Sequence, residues 1–398
     1  MCGITALLSD KNIFSDLLES LYHLQHRGQD SFGFGYLDDK NIRILKQNGL
    51  VSNFNNLDIQ TNIGIGHVRY PTKGSLSIDY AQPLYMKGKF HTIALVHNGQ
   101  IDPEYVNNTL NINDTNQSDS IYLLKYLSYL LDKYVILNDE NIIEIVKDVQ
   151  KMKGSFNCIC LIENFGLICF KDKYSIRPLI FGKKDNSYII SSESVSIKSI
   201  DYNIISDIYG NDIITYHKNN FNILKTCNDS LEYFKPCIFE WIYLAREESI
   251  IYNINVHHSR TKMGEYLGKK ISKMIDINQI DIVVPVPDTS KPVALEISKQ
   301  LNKPYHEAIT KNRYVNRTFI MNTQDKRKKN IKRKLNVINH LVKDKNILII
   351  DDSIVRGNTI KYIINLLKEH NVKKIFVGIS CPEIINTNKY GLDIPNKK

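Results

Sequence analysis

The first half of the chain alternates between short apolar runs and turn residues. Several of these runs have the length of β-strands and are bounded by Gly, Asn and Asp. Residues 119–131 predict a helix with Ser118 as its N-cap. Strands with only a few helices predict an α+β or αββα domain. The runs cover residues 63–68, 92–96, 158–162 and 167–170.

The second half follows a different pattern. Three β-branched runs occur there, and the first two are each followed by a predicted helix. Fully apolar strands that alternate with helices predict a parallel sheet flanked by helices. The change of pattern falls at residues 225–240, and we expect domains over residues 2–230 and 231–398. The strands are predicted at 280–286, 346–350 and 375–379, and the helices at about 290–301 and 358–370.

The composition excludes several classes of protein. Hydrophobic residues make up 42% of the 398 residues and charged residues 24%, which is typical of a globular chain and not of a disordered, collagen-like or coiled-coil one. No apolar run approaches the ~18 residues of a membrane span, and the N-terminus has no basic start followed by a long apolar stretch. We therefore expect a cytoplasmic protein without a membrane partner. The seven cysteines form no C-x-x-C pair, so neither a disulfide framework nor a metal site is indicated.

The charge is concentrated in one window. Residues 311–345 contain twelve Lys and Arg against two Asp, so the net charge of this window is +10 and equals that of the whole chain. A basic run such as 326–329 is compatible with nucleic acid, with a phosphate-rich small substrate, or with a merely solvated surface. The window alone leaves these three interpretations open.

Cys2 is the first candidate for chemistry. A small residue after Met1 permits removal of Met1, which would make Cys2 the N-terminal residue. An N-terminal cysteine combines a thiol nucleophile with an α-amine whose free pKa is ~7.7–8.0, as in N-terminal-nucleophile hydrolases. A cysteine at this position becomes informative only together with partner residues.

Four polar stretches supply such partners. Each is compatible with an ordinary turn or helix cap, since Asn-Gly and Ser-Asp pairs are common there. Their order and spacing after Cys2 make a coincidence improbable. The stretches are 26–30 (HRGQD), 66–72 (GHVRYPT), 97–99 (HNG) and 118–120 (SDS).

A nine-residue string at 351–359 (DDSIVRGNT) follows the buried run that ends at Ile350. Two carboxylates at a strand end, followed by a loop of small residues and a helix, predict a phosphate site at the helix N-terminus. The carboxylates suit ribose hydroxyls or a hydrated Mg²⁺ ion. The string lacks the Gly-Lys-Ser/Thr of a Walker A loop, and an acidic strand end before a capped helix is the purely structural alternative.

Together these motifs resemble the amidophosphoribosyltransferase family, from Cys2 to about Pro395. The resemblance implies an N-terminal αββα N-terminal-nucleophile hydrolase domain, the class II glutamine amidotransferase, followed by a parallel-sheet type I phosphoribosyltransferase domain. It implies that Cys2 attacks the glutamine amide and that Arg69 binds the α-carboxylate. Asn98 and Gly99 would form the oxyanion hole, and Asp119 would accept the α-amine.

The resemblance also assigns the second half. It implies that phosphoribosylpyrophosphate binds to the 351–359 string and to a flexible loop in the basic window, which favours an anionic substrate over nucleic acid. One Mg²⁺ per subunit is expected. The expected substrate residues are Asp351, Asp352, Ser353, Ile354, Val355, Arg356, Gly357, Asn358, Thr359, Lys311, Arg313 and Tyr314, and the expected metal residues are Thr289, Asp351 and Asp352.

The chain departs from the family pattern at several positions. Members usually continue for about another hundred residues, and we expect the second domain to lack this C-terminal tail. Lys173 and Ser175 interrupt the usual Asp-Pro-Tyr-Gly pattern, and Asn358 stands where Thr is more common. Cys237 matches the first ligand of the iron–sulfur cluster that some members carry, but Lys389 stands at or near another ligand position. We therefore expect no iron–sulfur cluster.

The expected activity has two steps. Glutamine is hydrolysed at Cys2, and the ammonia displaces pyrophosphate from phosphoribosylpyrophosphate to give 5-phosphoribosylamine, the first step of purine synthesis. A homo-oligomer, either a dimer or a tetramer, is expected, without nucleic acid. Three alternatives remain: another class II amidotransferase that aminates a sugar phosphate, a phosphoribosylpyrophosphate-binding regulator, and a decayed, uncoupled glutaminase.

Overall fold

The structure is a computed structural model. It describes residues 2–54, 58–70, 78–112, 117–217, 220–227, 233–312, 335–355, 357–386 and 390–391. The chain divides into two compact units. The first comprises Met1–Cys237, Ile250–Asn253 and Asn388–Asp393, and the second comprises Ile238–Ser249, Ile254–Thr387 and Ile394–Lys398.

Two antiparallel sheets and five α-helices occur in the described part of the first unit. The strands are β1 Gly3–Leu8, β2 Ser31–Asp38, β3 Asn41–Asn48, β4 Ile63–Arg69, β5 Leu84–Lys87, β6 Thr92–Ile101, β7 Gly154–Ile162, β8 Gly166–Lys171, β9 Ile180–Lys184, β10 Ser187–Ser191, β11 Asn203–Asp207, β12 Asp212–His217, β13 Asn220–Lys225 and the short β14 Ile250–Ile251. The helices are α1 Phe14–His23, α2 Glu104–Leu110, α3 Asp119–Leu131, α4 Asp139–Val149 and α5 Ser194–Lys198.

The two sheets pack face to face between layers of helices. One sheet has the order β11-β9-β10-β1-β4-β2-β3 and the other β13-β12-β8-β7-β6-β5. Ile4 and Ala6 of β1 pack with Ala94 and Val96 of β6 in the core between the sheets. The outer face of the first sheet is covered by α1, and that of the second by α3 and α4. This helix–sheet–sheet–helix order confirms the αββα prediction.

The second unit is built around a parallel sheet of three strands in the order β16 (Ile282–Pro285), β19 (Asn346–Asp351) and β20 (Lys374–Ile379). Alternate residues of β19 lie in two cores. Ile347 and Ile349 pack with α9 (Asn358–Glu369), whereas Leu348 and Ile350 pack with α6 (Val256–Met274) and α7 (Lys291–Leu301). Helices therefore cover both faces, which confirms the predicted architecture. The remaining elements are β15 Ile254–Asn255, β17 Ile309–Lys311, β18 Leu335–Val337 and α8 Asn339–Val342.

One strand end was predicted wrongly. The strand predicted to end at Val96 continues to Ile101, because β6 remains paired with β7 as far as Ile101 opposite Gly154. His97, Asn98 and Gly99 therefore lie within a strand and not in a turn. Ser118 is the N-cap residue of α3, as predicted, although its side chain makes no capping hydrogen bond.

Some expected features lie outside the described residues. The expected boundary at residues 230 and 231 is one of them, and Arg313, Tyr314 and Arg356 are others. No helix in the described part of the chain is long and apolar enough to span a membrane.

Candidate active site

Side-chain alternation directs several polar residues of the first unit into the layer between its sheets. Ile63 and Ile65 of β4 lie in that core, so His67 and Arg69 project from the same face. By the same alternation, Asn98 projects from the same face of β6 as Ala94 and Val96. Cys2 immediately precedes β1 and lies two residues before Ile4, so it is placed on the same face as Ile4. The sheet faces therefore bring together the candidates that the sequence singled out.

Register places Cys2 beside Arg69. In the β1–β4 ladder, Gly3 is opposite Val68 and Ile4 is opposite His67, so the next position pairs Cys2 with Arg69. Cys2 is half-buried, and its Sγ lies 4.0 Å from the carbonyl oxygen of Tyr70. A carboxylate bound by the Arg69 guanidinium would thus be held next to the thiol.

Arg69 is buried at the end of β4. Burial lowers the pKa of Arg69, whereas the charges of Cys2, Asp30 and Tyr80 raise it. The guanidinium carbon lies 5.7 Å from the centre of the Tyr80 ring. Gly28 is required nearby, because a Cβ atom there would lie 2.5 Å from the Arg69 backbone. A buried guanidinium in this setting is suited to bind an anion bidentately.

Asn98 has an unused side-chain amide. The residue is 1% exposed, and neither Nδ2 nor Oδ1 has a hydrogen-bond partner within the described part of the chain. Buried amides are normally paired, so an unpaired one at a candidate site indicates a ligand group. Gly99 passes so close to β7 that a Cβ atom would lie 2.0 Å from the Ser155 carbonyl oxygen.

Asp119 begins α3 and faces β6. Its Oδ2 accepts a hydrogen bond from Ile101 N at 3.2 Å, and its Oδ1 accepts one from Ser120 N at 2.9 Å. Both carboxylate oxygens keep further lone pairs that can accept hydrogen bonds from an ammonium group of a ligand. The Asp119 charge also raises the pKa of His97, although burial has the larger, opposite effect.

Sequence reasoning assigned no individual role to three buried residues of this unit. Gln82 bonds the backbone of His97. Glu193 accepts hydrogen bonds from His26 at 2.7 Å and from Arg27. His67 is fully buried, and burial holds its pKa well below the usual range. A single sequence carries no periodicity or motif that marks isolated polar residues such as Gln82 or Glu193.

In the second unit, Asp351 and Asp352 lie at the carboxyl end of the central strand. Asp351 is the last residue of β19, and the chain bends at Asp352. Thr289 Oγ1 donates to Asp352 Oδ2 at 2.5 Å, and Ser353 Oγ donates to Oδ1 at 2.5 Å. Asp352 N donates to Asp351 Oδ1 at 2.9 Å. This bend allows two consecutive carboxylates to serve one site.

Burial and proximity disfavour two negative charges here. Burial raises the pKa of Asp351 to about 7, and the charge of Asp352 adds to this shift. Burial also raises the pKa of Asp352, against hydrogen bonds from Ser353 and Thr289 and the charge of Arg260. Such a pair is stabilised by a cation or by donor hydroxyl groups.

The loop after the carboxylates leads into α9. Gly357 has φ +71° and precedes Asn358, the first residue of the helix. A Cβ atom at Gly357 would meet nothing within 4 Å, so the glycine is required by its backbone conformation and not by crowding. Ile354 is exposed, and Thr359 lies in the first turn. The N-terminus of this twelve-residue helix is suited to an anion.

Lys311 ends β17, and its Nζ bonds Asp288 Oδ2 at 2.8 Å. No cluster of three or more His, Cys, Asp or Glu side chains that could hold a metal occurs in the described ranges. Thr289, Asp351 and Asp352 offer hard oxygen donors, and burial together with the charge of Asp352 raises the pKa of Asp351. These residues fit a hydrated Mg²⁺ ion that is completed by substrate oxygens. Cys237 is buried, and Lys389 lies outside the described residues.

Comparisons with known proteins agree with this arrangement. The family model described as the phosphoribosyl transferase domain matches residues 255–388. The amidophosphoribosyltransferase of Pasteurella multocida is 39% identical over 415 residues, which cover 100% of this chain and 82% of that protein. The glutamine phosphoribosylpyrophosphate amidotransferase of B. subtilis, solved with ADP and GMP, has 27% identity and a TM-score of 0.83 over 99% of this chain and 85% of that one. A structure described as the allosteric regulatory enzyme of purine biosynthesis has 27% sequence identity and a TM-score of 0.86, and the match covers 100% of this chain and 84% of that one.

The two units define a glutamine amidotransferase of the N-terminal-nucleophile fold joined to a phosphoribosyltransferase. The chain belongs to the amidophosphoribosyltransferase family. This finding confirms the resemblance that the sequence motifs indicated.

Proposed function

We propose that the chain hydrolyses glutamine in its first unit and uses the ammonia in its second unit to convert phosphoribosylpyrophosphate into 5-phosphoribosylamine, glutamate and pyrophosphate. The observation that carries the proposal is the shared layer in the first unit. Cys2 immediately precedes β1, Arg69 ends β4 and Asn98 lies in β6. All three project between the same two sheets, and the Asn98 amide has no partner among the described residues.

The glutaminase step follows from the chemistry of these groups. After removal of Met1, the Cys2 α-amine accepts the thiol proton, and the thiolate attacks the side-chain amide. Arg69 binds the α-carboxylate of glutamine, and Asp119 accepts hydrogen bonds from its α-ammonium group. Asn98 Nδ2 and the Gly99 backbone N–H stabilise the developing oxyanion, since preorganised donors are most effective in a site without water. The Cys2 α-ammonium group returns the thiol proton to the departing nitrogen, which leaves as ammonia, and water then hydrolyses the thioester to release glutamate and the free thiol.

The transferase step uses the end of β19 and the start of α9. Asp351 and Asp352 accept hydrogen bonds from the ribose hydroxyls, and the 353–359 loop binds the 5-phosphate with its backbone amides and the helix N-terminus. Thr289, Asp351 and Asp352 would hold a hydrated Mg²⁺ ion, which when bound neutralises charge on the departing pyrophosphate. Lys311 and the basic window that follows it supply positive charge for the same leaving group.

The remaining expectations belong to this proposal. We assign the glutaminase to residues 2–230 and the transferase to residues 231–398, and we expect a dimer or a tetramer. Arg313, Tyr314 and Arg356 are assigned to the phosphoribosylpyrophosphate site on the motif alone.

Two variants separate the two half-reactions. Cys2→Ser is expected to abolish glutamate release but to retain pyrophosphate release when ammonia is supplied. Asp351→Asn is expected to lose pyrophosphate release with either nitrogen source and to retain glutamate release. Mass analysis establishes beforehand that Met1 is absent. Loss of both activities in both variants, or of neither, would contradict the assignment.

A further inference from the structure

Gln82 connects two elements of the glutamine site. Its side chain is 5% exposed. Oε1 accepts a hydrogen bond from His97 N at 2.6 Å, and Nε2 donates one to Ser120 Oγ at 3.1 Å. His97 directly precedes Asn98 in β6, and Ser120 directly follows Asp119 in α3. One amide therefore holds both the strand of the oxyanion donor and the helix of the α-amine acceptor.

We propose that Gln82 is a positioning residue of the glutamine site, which fixes the Asn98 strand against the Asp119 helix and determines which nitrogen of His97 carries the proton. This inference rests on the proposed function, because Asn98 and Asp119 acquire their roles only with glutamine as substrate.

The orientation of the Gln82 amide follows from its partners. The His97 backbone N–H can only donate, so the amide atom that faces it is the oxygen. The other amide atom is then the nitrogen, which can only donate to Ser120 Oγ. The His97 N–H thus fixes the orientation of the amide, which cannot be inverted without the loss of that buried hydrogen bond.

The orientation of the Ser120 hydroxyl follows in turn. Within the described part of the chain, its oxygen has two side-chain partners, Gln82 Nε2 and His97 Nδ1, the latter at 2.9 Å. Because Oγ accepts from Gln82, its single proton is available for His97 Nδ1. We infer that Ser120 donates this proton to Nδ1, which leaves the proton of a neutral ring on Nε2. Burial lowers the pKa of His97, which favours the neutral ring.

The protonated nitrogen faces the oxyanion strand. A Cβ atom built on Gly99 would lie 2.9 Å from His97 Nε2 and 2.0 Å from the Ser155 carbonyl oxygen. The ring therefore packs directly against the backbone that follows Asn98. The connection begins at the backbone of His97, passes through Gln82, Ser120 and the imidazole, and returns to the same strand two residues later. Support of this kind holds catalytic donors within a few tenths of an ångström of their working geometry.

Gln82→Glu tests the donor role of the amide. A carboxylate can still accept from His97 N but cannot donate to Ser120. Ser120 would then donate to the carboxylate and accept from Nδ1, so the proton on the ring would move from Nε2 to Nδ1. We expect kcat/KM for glutamine hydrolysis to fall roughly tenfold to a hundredfold, mainly through kcat, because small displacements of catalytic groups have effects of this size. Gln60→Glu is the matched control: Gln60 is exposed and bonds only Asp58 among the described residues, so its kinetics should remain those of the unmodified protein.

Ring ¹⁵N shifts of His97 give a readout that does not depend on activity, with His97→Gln used to assign the signal. We expect a protonated Nε2 in the unmodified protein and a protonated Nδ1 in Gln82→Glu. A protonated Nδ1 in the unmodified protein, or unchanged kinetics in a folded Gln82→Glu, would overturn the inference. Failure of the proposed function is distinct, because the unmodified protein would then release no glutamate at all.

Discussion

Thr289 donates a hydrogen bond of 2.5 Å to Asp352, although 63 positions separate them in the chain. Thr289 follows β16, and Asp352 follows β19, the parallel neighbour of β16. The bond stabilises the charged form of a carboxylate whose pKa burial raises. Through this bond, Thr289 controls the ionisation of Asp352 in the proposed phosphoribosylpyrophosphate site.

Removal of this hydroxyl should weaken the transferase. Thr289→Val keeps the shape but not the donor, so the pKa of Asp352 should rise further and the acid limb of the pH profile should move to higher pH. At neutral pH, ammonia-dependent pyrophosphate release should fall roughly tenfold, as expected for the loss of a hydrogen bond to a charged group. Thr289→Ser retains the donor and should behave as the unmodified protein. A valine variant with an unchanged pH profile would refute this role.

Asp351 should make the stability of the second unit depend on pH. Its pKa is about 7 in the folded protein against 3.8 for an ordinary aspartate, so the folded state binds more protons between these values. Stability should therefore fall as pH rises from about 4 to about 7. Without divalent ions, Asp351→Asn should be more stable than the unmodified protein above about pH 7, by at most about 4 kcal/mol, and should lose this advantage near about pH 4.

Trp241, the single tryptophan, lies buried in the second unit and reports its denaturation by fluorescence. Glu383→Gln removes an exposed carboxylate of the same unit and serves as the control. If the stability difference between Asp351→Asn and the unmodified protein were the same at both ends of the pH range, Asp351 would not be the group that causes the pH dependence.

Ser175 stands where the family pattern has glycine, and its φ is +56°. A left-handed conformation costs a non-glycine residue about 1–2 kcal/mol, but Ser175 Oγ accepts a hydrogen bond from Gly210 N at 2.8 Å. Ser175→Gly relieves the strain and loses the bond, so its free energy of unfolding should stay within about 1 kcal/mol of the unmodified value. Ser175→Ala loses the bond and keeps the strain, and should be less stable by roughly 1–2 kcal/mol. Denaturation followed by circular dichroism checks the order, and an alanine variant as stable as the glycine variant would contradict it.

Gly99→Ala should inactivate the glutaminase selectively. The added Cβ would lie 2.0 Å from the Ser155 carbonyl oxygen, so β6 must move away from β7 next to Asn98. A displaced oxyanion donor should reduce glutamine hydrolysis about a hundredfold or more. Pyrophosphate release with supplied ammonia should persist, and glutamate release at the unmodified rate would show that the strand need not be so close.

Much of the fold was predictable because strong local patterns agree with the tertiary structure. The helix at Asp119–Leu131 and the strands ending at Arg69 and Asp351 lie where hydrophobic spacing placed them. The strand was predicted to end at Val96, and the Asn-Gly pair that follows was also compatible with a turn, whereas pairing with β7 keeps Asn98 and Gly99 in a strand. Gln82 was not recognised, since its role depends on partners 15 and 38 positions away, and no local pattern encodes such contacts.

The most direct test of the account measures glutamate and pyrophosphate together, with the Met1-processed protein, glutamine, phosphoribosylpyrophosphate and Mg²⁺. The account predicts that glutamate release rises sharply when phosphoribosylpyrophosphate is added and that the two products form in equal amounts. Glutamate release that is indifferent to phosphoribosylpyrophosphate, with no pyrophosphate formed, would identify an uncoupled glutaminase and contradict the central claim.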